Sequence, residues 1–327
     1  MEIAVITKSR AQSILYEYAD SFFDRKKKVL IPCNTCESVP LTYQMLKIPF
    51  EMVDADPGTM SLSLDLAEER LSRRREDYQG LHYVGNYGIW QDALTERLRS
   101  IKAAYGIRLV FDKCLCIPPE DVTAGSLYAD LEVYSTGGRK CVDLQGGGFG
   151  ITAADSLFQW RSRSFEADAD DYKRMKSIMQ NTPEQWRQCA HLRWLENRPL
   201  EDREQYFSEL REKRKSVIAH KRSLNRIYSE IIPEEFQVGE YANDWRFQVR
   251  LGNRDEVLGL IFENGLFASN HYRAWGNGAF TDAVFPVAER IRRQILNLFN
   301  DFYFSEEQAV QAAEIVREKG KPCINAQ

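Results

Sequence analysis

Tyr134-Ser135-Thr136-Gly137-Gly138-Arg139-Lys140, continuing as Cys141-Val142-Asp143-Leu144-Gln145-Gly146-Gly147-Gly148-Phe149-Gly150-Ile151-Thr152, is the stretch on which the fold of this chain turns. A lysine follows a small, polar, glycine-bearing turn and precedes four glycines in five positions. Glycine admits positive φ and lets backbone approach a ligand closely. A lysine amine in such a place can form a Schiff base with a carbonyl compound, pyridoxal phosphate among them. Taken alone, the same residues describe a surface lysine beside a glycine-rich hairpin.

Upstream, short apolar runs alternate with helical patterns. Ile3–Ile6, Lys28–Pro32, Phe50–Asp54, Leu81–Val84 and Ile107–Asp112 have the composition of buried strands. Helices are predicted from Lys8 to Phe23, Ser38 to Leu46, Asp65 to Arg75 and Leu94 to Tyr105, with a turn at Asp56-Pro57-Gly58-Thr59. This alternation implies an α/β fold with a mostly parallel central sheet flanked by helices. Ligands of such sheets bind beyond the carboxyl ends of the strands, where Asn34, Asn86, Asp112 and the Lys140 turn all fall. The turn after the first strand offers an anion free N–H groups and a positive dipole, with Ser9 and Arg10 adding a hydroxyl and a guanidinium. A capping serine with a solvated arginine gives the same pattern.

From about Asp155 to Glu230 the chain becomes charged and helical, with Trp160, Trp186 and Trp194 as packing anchors and one connecting helix over Lys213–Tyr228. Trp245–Arg250 alternates as a strand does. Asn253 opens a helix to Asn264, with Gly265 at its C′ position. Two last helices are predicted over Pro286–Leu298 and Glu306–Lys319. The division expected is 1–185 as a large α/β domain, 186–231 as a helical connection, and 232–327 as a smaller C-terminal α+β domain.

The 327 residues, 43% hydrophobic and 12% aromatic, suffice for a sizeable core. A net charge of −4 argues against nucleic acid as a partner. No apolar run approaches the ~20 residues of a membrane span, and Met1-Glu2-Ile3 does not begin a signal peptide, so a cytoplasmic protein is expected. Seven cysteines fit poorly with a disulfide framework. Cys33/Cys36 and Cys114/Cys116 are a conceivable thiolate zinc site, but reduced core thiols are favoured and no metal is expected.

The order of these segments resembles the DegT/DnrJ/EryC1/StrS sugar aminotransferases, fold-type I pyridoxal phosphate enzymes related in fold to aspartate aminotransferase. Asp130–Ser135, Lys140, Gly147-Gly148 and Thr152 look like the family's aspartate, serine, Schiff-base lysine, paired glycines and threonine. Val29–Thr35 resembles its strand and Asn-Thr loop, and Val53–Thr59 its Val-Asp-x-Asp-Pro-x-Thr segment. Val110-Phe111-Asp112 falls where the family has the aspartate that pairs with the pyridine nitrogen. Asn253–Glu256, and His271-Tyr272 followed by Phe285–Glu289, look like its small-domain signature.

The chain also departs from the pattern. It starts just before the phosphate loop, without the family's N-terminal arm. Lys8-Ser9-Arg10 stands for a Ser-Gly-Thr loop, Cys36 for a ring-stacking aromatic, and Leu115 for a Gln or His. Asn197 is a loose match for the asparagine lent to a neighbouring subunit's phosphate site.

What the resemblance implies is an aminotransferase using pyridoxal 5′-phosphate. A keto-sugar nucleotide would be the acceptor, an amino acid the donor, and the protein a homodimer with shared active sites. Lys140 and Asp112 would be catalytic. Ser9, Arg10, Asn34, Asp112, Ser135 and Lys140 would hold the cofactor, and His271 and Tyr272 would face the substrate. The departures leave two alternatives: a non-catalytic binding or assembly subunit, or a different reaction on the same cofactor.

Overall fold

The computed structural model describes residues 2–122, 127–239, 245–276 and 278–323. Seven strands form one sheet in the order β1 (Ile3–Lys8), β7 (Gly148–Ala153), β6 (Leu131–Ser135), β5 (Arg108–Asp112), β4 (Tyr78–Val84), β2 (Lys28–Pro32) and β3 (Phe50–Val53). Strand β7 runs antiparallel to both β1 and β6, and the other pairings are parallel. The mostly parallel sheet predicted from the alternating pattern is therefore present, with one reversed strand.

Both faces of the sheet are covered, which is why apolar residues dominate its central strands. Helices α1 (Ala11–Phe22) and α2 (Ser38–Met45) pack with Ile31, Val110 and Val133 on one face. Helices α3 (Leu64–Arg73) and α4 (Asp92–Tyr105) pack with Leu81, Tyr83, Leu109 and Phe111 on the other. Alternation along β5 thus sends Phe111 into the α3–α4 core and Val110 and Asp112 toward α1 and α2. Along β4 the same rule places His82 on the Asp112 face, beside Val110.

Beyond β7 come α5 (Ala169–Asn181) and the 29-residue α6 (Arg203–Ile231). Helix α6 begins ten residues before the predicted Lys213, because Asp202 caps it by accepting from the Gln205 N–H at 2.8 Å. The second sheet holds β8 (Phe247–Arg250), β10 (Ile295–Leu298) and β9 (Ala268–Ser269), all antiparallel with β10 central. Helices α7 (Arg254–Glu263), α8 (Pro286–Gln294) and α9 (Glu306–Lys319) accompany it. The predicted helix over Pro286–Leu298 is corrected here. It stops at Gln294, and the fully buried Ile295-Leu296-Asn297-Leu298 becomes the middle strand. A four-residue apolar run suits helix or strand equally, and pairing on both sides decides the matter. The core around this sheet also takes in Leu224 and Tyr228 of α6.

Candidate functional site

A cavity of about 430 Å³ opens at the carboxyl ends of the parallel strands. Val84, Asp112 and Ser135, the last residues of β4, β5 and β6, line it together with Ser9 and Arg10 beyond β1 and with Lys140. Six of the eight residues expected at a site therefore meet in one cavity: Ser9, Arg10, Asp112, Ser135, Lys140 and Tyr272.

Lys140 is delivered by the hairpin between β6 and β7. Its N–H donates to the Gly137 carbonyl at 3.2 Å, closing a tight turn. Arg139 sits in the left-handed region at φ 67°, and its N–H donates to the Asp143 carboxylate at 2.8 Å. The Trp245 indole N–H donates to the Arg139 carbonyl at 2.9 Å, tying the turn to the residues before β8. Backbone held this firmly in a sparsely populated conformation is common where a side chain must be aimed.

Asp112 lies on the cavity floor. One carboxylate oxygen accepts from the Cys114 N–H at 3.0 Å, and the other is 3.5 Å from Nε2 of fully buried His82. Burial alone pushes this carboxyl up, but the neighbouring His82 ring and the Cys114 N–H hold it below its ordinary value. Asp112 is therefore an anion facing a cavity that also holds a primary amine. The thiols of Cys36 and Cys114 line the same cavity, and burial pushes both above the ordinary thiol range, so they are neutral, soft walls.

The β1 end of the cavity has the features of a phosphate cradle. The Ser9 hydroxyl is buried and has no hydrogen-bond partner among the described residues, at the start of a helix whose first N–H groups lack partners within it. Gly147 supplies a φ of 83°, and Gly148 allows α1 to start directly against β7. A Cβ at Gly148 would stand 2.6 Å from the Ala11 nitrogen. Gly148→Ala is accordingly expected to cost about 1–3 kcal/mol of stability by overpacking. It should also weaken phosphate-bearing ligands; a urea midpoint and a phosphate-competition titration would check both. Arg10 donates to Glu196 at 2.9 Å and its guanidinium stands over Tyr172, so it reaches the cradle from the rim.

The remaining predicted residues lie elsewhere. Asn34 is fully buried beside the site, donating to the Met60 carbonyl at 2.9 Å and braced by Asn86. It is not among the cavity walls. His271 is exposed, packs edge-on to Trp245 at 5.8 Å and is likewise off the wall. Tyr272 reaches the wall, its N–H donating to the Tyr87 hydroxyl at 2.9 Å. Asn197 cannot be lent to a neighbouring subunit: it is buried in its own chain, donating to the Glu17 carboxylate at 2.8 Å.

Several lining residues were invisible to sequence reasoning. Tyr172, Met175 and Lys176 of α5, with Trp194, Leu195 and Glu196, cover the cavity. Lys176 and Glu37 form an ion pair there, which outweighs burial and keeps the Glu37 carboxyl below its ordinary value. This cover is fastened by Glu17 of α1. Its buried carboxylate accepts from Lys8 Nζ at 2.7 Å, Trp160 Nε1 at 2.8 Å, Ser162 Oγ at 3.1 Å and the Arg163 N–H at 2.9 Å, besides Asn197. His82 and its partner Tyr43 were also missed, although a lone histidine between apolar strand residues is a signal of a buried polar contact.

No family model matches the sequence, and no curated protein matches it. Solved structures do match its fold. A DegT DnrJ EryC1 StrS aminotransferase from Brucella abortus superimposes with a TM-score of 0.66 at 15% identity, over 96% of this chain and 85% of its own. DesV from S. venezuelae gives 0.69 at 17% identity, over 96% and 84%. NtdA from Bacillus subtilis, solved with bound cofactor PMP, gives 0.66 at 15%, over 96% and 73%.

Proposed function

We propose that this chain, which has the fold of the DegT DnrJ EryC1 StrS aminotransferases, is itself a pyridoxal phosphate-dependent aminotransferase. The acceptor is a keto-sugar nucleotide and the donor an amino acid. The observation that carries this is one cavity combining a turn-held lysine, an anionic aspartate and a buried hydroxyl without a partner. When bound, pyridoxal phosphate supplies an electron sink for the bonds at a substrate's α-carbon.

The chain's own residues have separable tasks. Lys140 Nζ would hold the cofactor's aldehyde carbon, and as a primary amine in the cavity it could hold and move a proton there. Asp112 keeps a proton on the ring nitrogen through a charge-assisted bond. Ser9, Arg10, Ser135 and the first turn of α1 receive the phosphate. Cys36, Val110 and Val133 give the ring apolar walls. The α5 cover with Trp194 would keep water out, and Tyr272 and the Glu37–Lys176 pair, which line the cavity, would meet the substrate.

The test is a visible spectrum of the purified protein with pyridoxal phosphate, followed by titration with amino acids. A lysine-bound cofactor band is expected, and at least one amino donor should convert it to the pyridoxamine form. A band that no donor converts would favour the non-catalytic alternative, which Cys36 in place of an aromatic and the Arg10–Glu196 pairing at the cradle support. We place the enzyme in the cytoplasm as a two-fold homodimer; exposed Leu157 and Phe158 beyond β7 offer apolar surface for a second copy. Sedimentation at micromolar concentration checks the mass.

A further inference from the structure

We propose that Tyr43 is a positioning residue whose hydroxyl fixes His82 as the neutral Nε2–H tautomer and thereby keeps Asp112 an anion. Tyr43 and His82 are both fully buried, one on α2 and the other on β4. The Tyr43 hydroxyl is 2.9 Å from His82 Nδ1, and His82 Nε2 is 3.5 Å from the Asp112 carboxylate. The three groups form a line from the helix layer to the cavity floor.

Hydrogen counting selects one arrangement. The phenol has one O–H, and His82 Nδ1 is its one hydrogen-bond partner among the described residues. If Nδ1 carried the ring proton, the phenol oxygen would accept and its own hydrogen would be buried without an acceptor. The Nε2 lone pair would then point at a carboxylate oxygen. With the proton on Nε2, Tyr43 donates to Nδ1, and the Nε2–H stands 3.5 Å from the Asp112 carboxylate, too long for a full hydrogen bond and close enough for its charge to act. An imidazolium is disfavoured for the same reason, since a proton on Nδ1 again strands the phenol hydrogen. The pair His82–Asp112 therefore keeps a net charge of −1 instead of cancelling to zero.

The titratable groups around His82 are Tyr43 from α2, Tyr18 from α1 behind it, and Asp112 from β5. Cys114 follows Asp112, and Lys140 faces it across the cavity. On the function proposed above, the preserved negative charge is what holds a proton on the cofactor's ring nitrogen; the tautomer itself does not depend on that function.

The experiment uses ¹⁵N-histidine-labelled full-length protein without cofactor. Of the four histidines, His82 is assigned by its absence in His82→Gln. A single N–H on Nε2 is expected. In Tyr43→Phe the Nδ1 atom loses its donor, and the ring proton should redistribute between Nδ1 and Nε2. With ring-¹⁵N pyridoxal phosphate added, Tyr43→Phe should bind about 10-fold more weakly, as loss of outer-shell partners does. Its ring nitrogen signal should move toward the unprotonated position. On the His82→Gln background Tyr43→Phe should change neither. A protonated Nδ1 in the wild type, or a Tyr43→Phe effect of equal size in both backgrounds, overturns the assignment. Should Tyr43→Phe fail to fold, the wild-type tautomer decides alone. Should the protein take up no cofactor, the proposed function fails while the histidine spectrum still answers for Tyr43.

Discussion

Lys140→Ala is expected to lower transamination by roughly 10⁴-fold or more, the scale on which loss of a covalent catalytic group is felt. The substituted side chain is half-buried in a turn held by backbone contacts, so stability should change by no more than about 0.5 kcal/mol. The direct readout is borohydride reduction followed by peptide mapping. Wild-type protein should carry the cofactor's mass on the peptide containing residue 140, and Lys140→Ala should carry none. Lys176 provides an internal control, since it lines the same cavity but is paired with Glu37. Labelling at Lys176 in wild-type protein, or undiminished labelling in Lys140→Ala, would sink the assignment of Lys140.

The second large effect is on stability. Glu17→Ala removes the acceptor shared by Lys8, Trp160, Ser162, Arg163 and Asn197, and strands the buried ammonium of Lys8. Breaking one side of a buried ion pair costs about 3–5 kcal/mol. Chemical denaturation of Glu17→Ala should show a loss of that order, and Lys8→Met in the same background should recover part of it. A loss under about 1 kcal/mol would mean that the network is not a fastening. The same carboxylate predicts an acid limb. Burial pushes the Glu17 carboxyl up, but its donors, Lys8 foremost, hold it below its ordinary value. A carboxyl depressed in the folded state stabilises above its unfolded value and loses that contribution as pH falls through its folded one. Wild-type stability should therefore decline below about pH 4, and Glu17→Gln should decline less steeply there.

Five strands of the large sheet were legible as short apolar runs bounded by turns, whereas Leu131–Ser135 and the glycine-rich Gly148–Ala153, on either side of the lysine turn, were not marked as strands. Lys28–Pro32 was delimited to the residue, as was the closing helix Glu306–Lys319 with its Ser305 cap. The strand Ile295–Leu298 was not, since it follows a helix without punctuation and exists only through pairing with β8 and β9. Apart from Tyr272, the cavity-lining candidates that could be named sit at strand ends or in the lysine turn, where position along the chain implies position in space. Glu37, Tyr43, His82, Lys176 and Glu196 reach or support the same cavity from helices, from mid-strand and from the cover. Apart from His82, whose place between apolar strand residues signals a buried polar contact, nothing local distinguishes them from caps, core residues or solvated charges. Asn34 illustrates the converse: it lies next to a strand end yet turns inward to serve the backbone.

Strand β5 is sandwiched between two apolar layers, with the acid at its tip facing one and a phenylalanine facing the other. Sliding that strand by a single residue would seat Phe111 at the cavity and bury a charge among leucines. On the proposed function, a competent site requires this strand to be correctly threaded, so turnover per molecule in a refolding mixture would report the chains that have found their register.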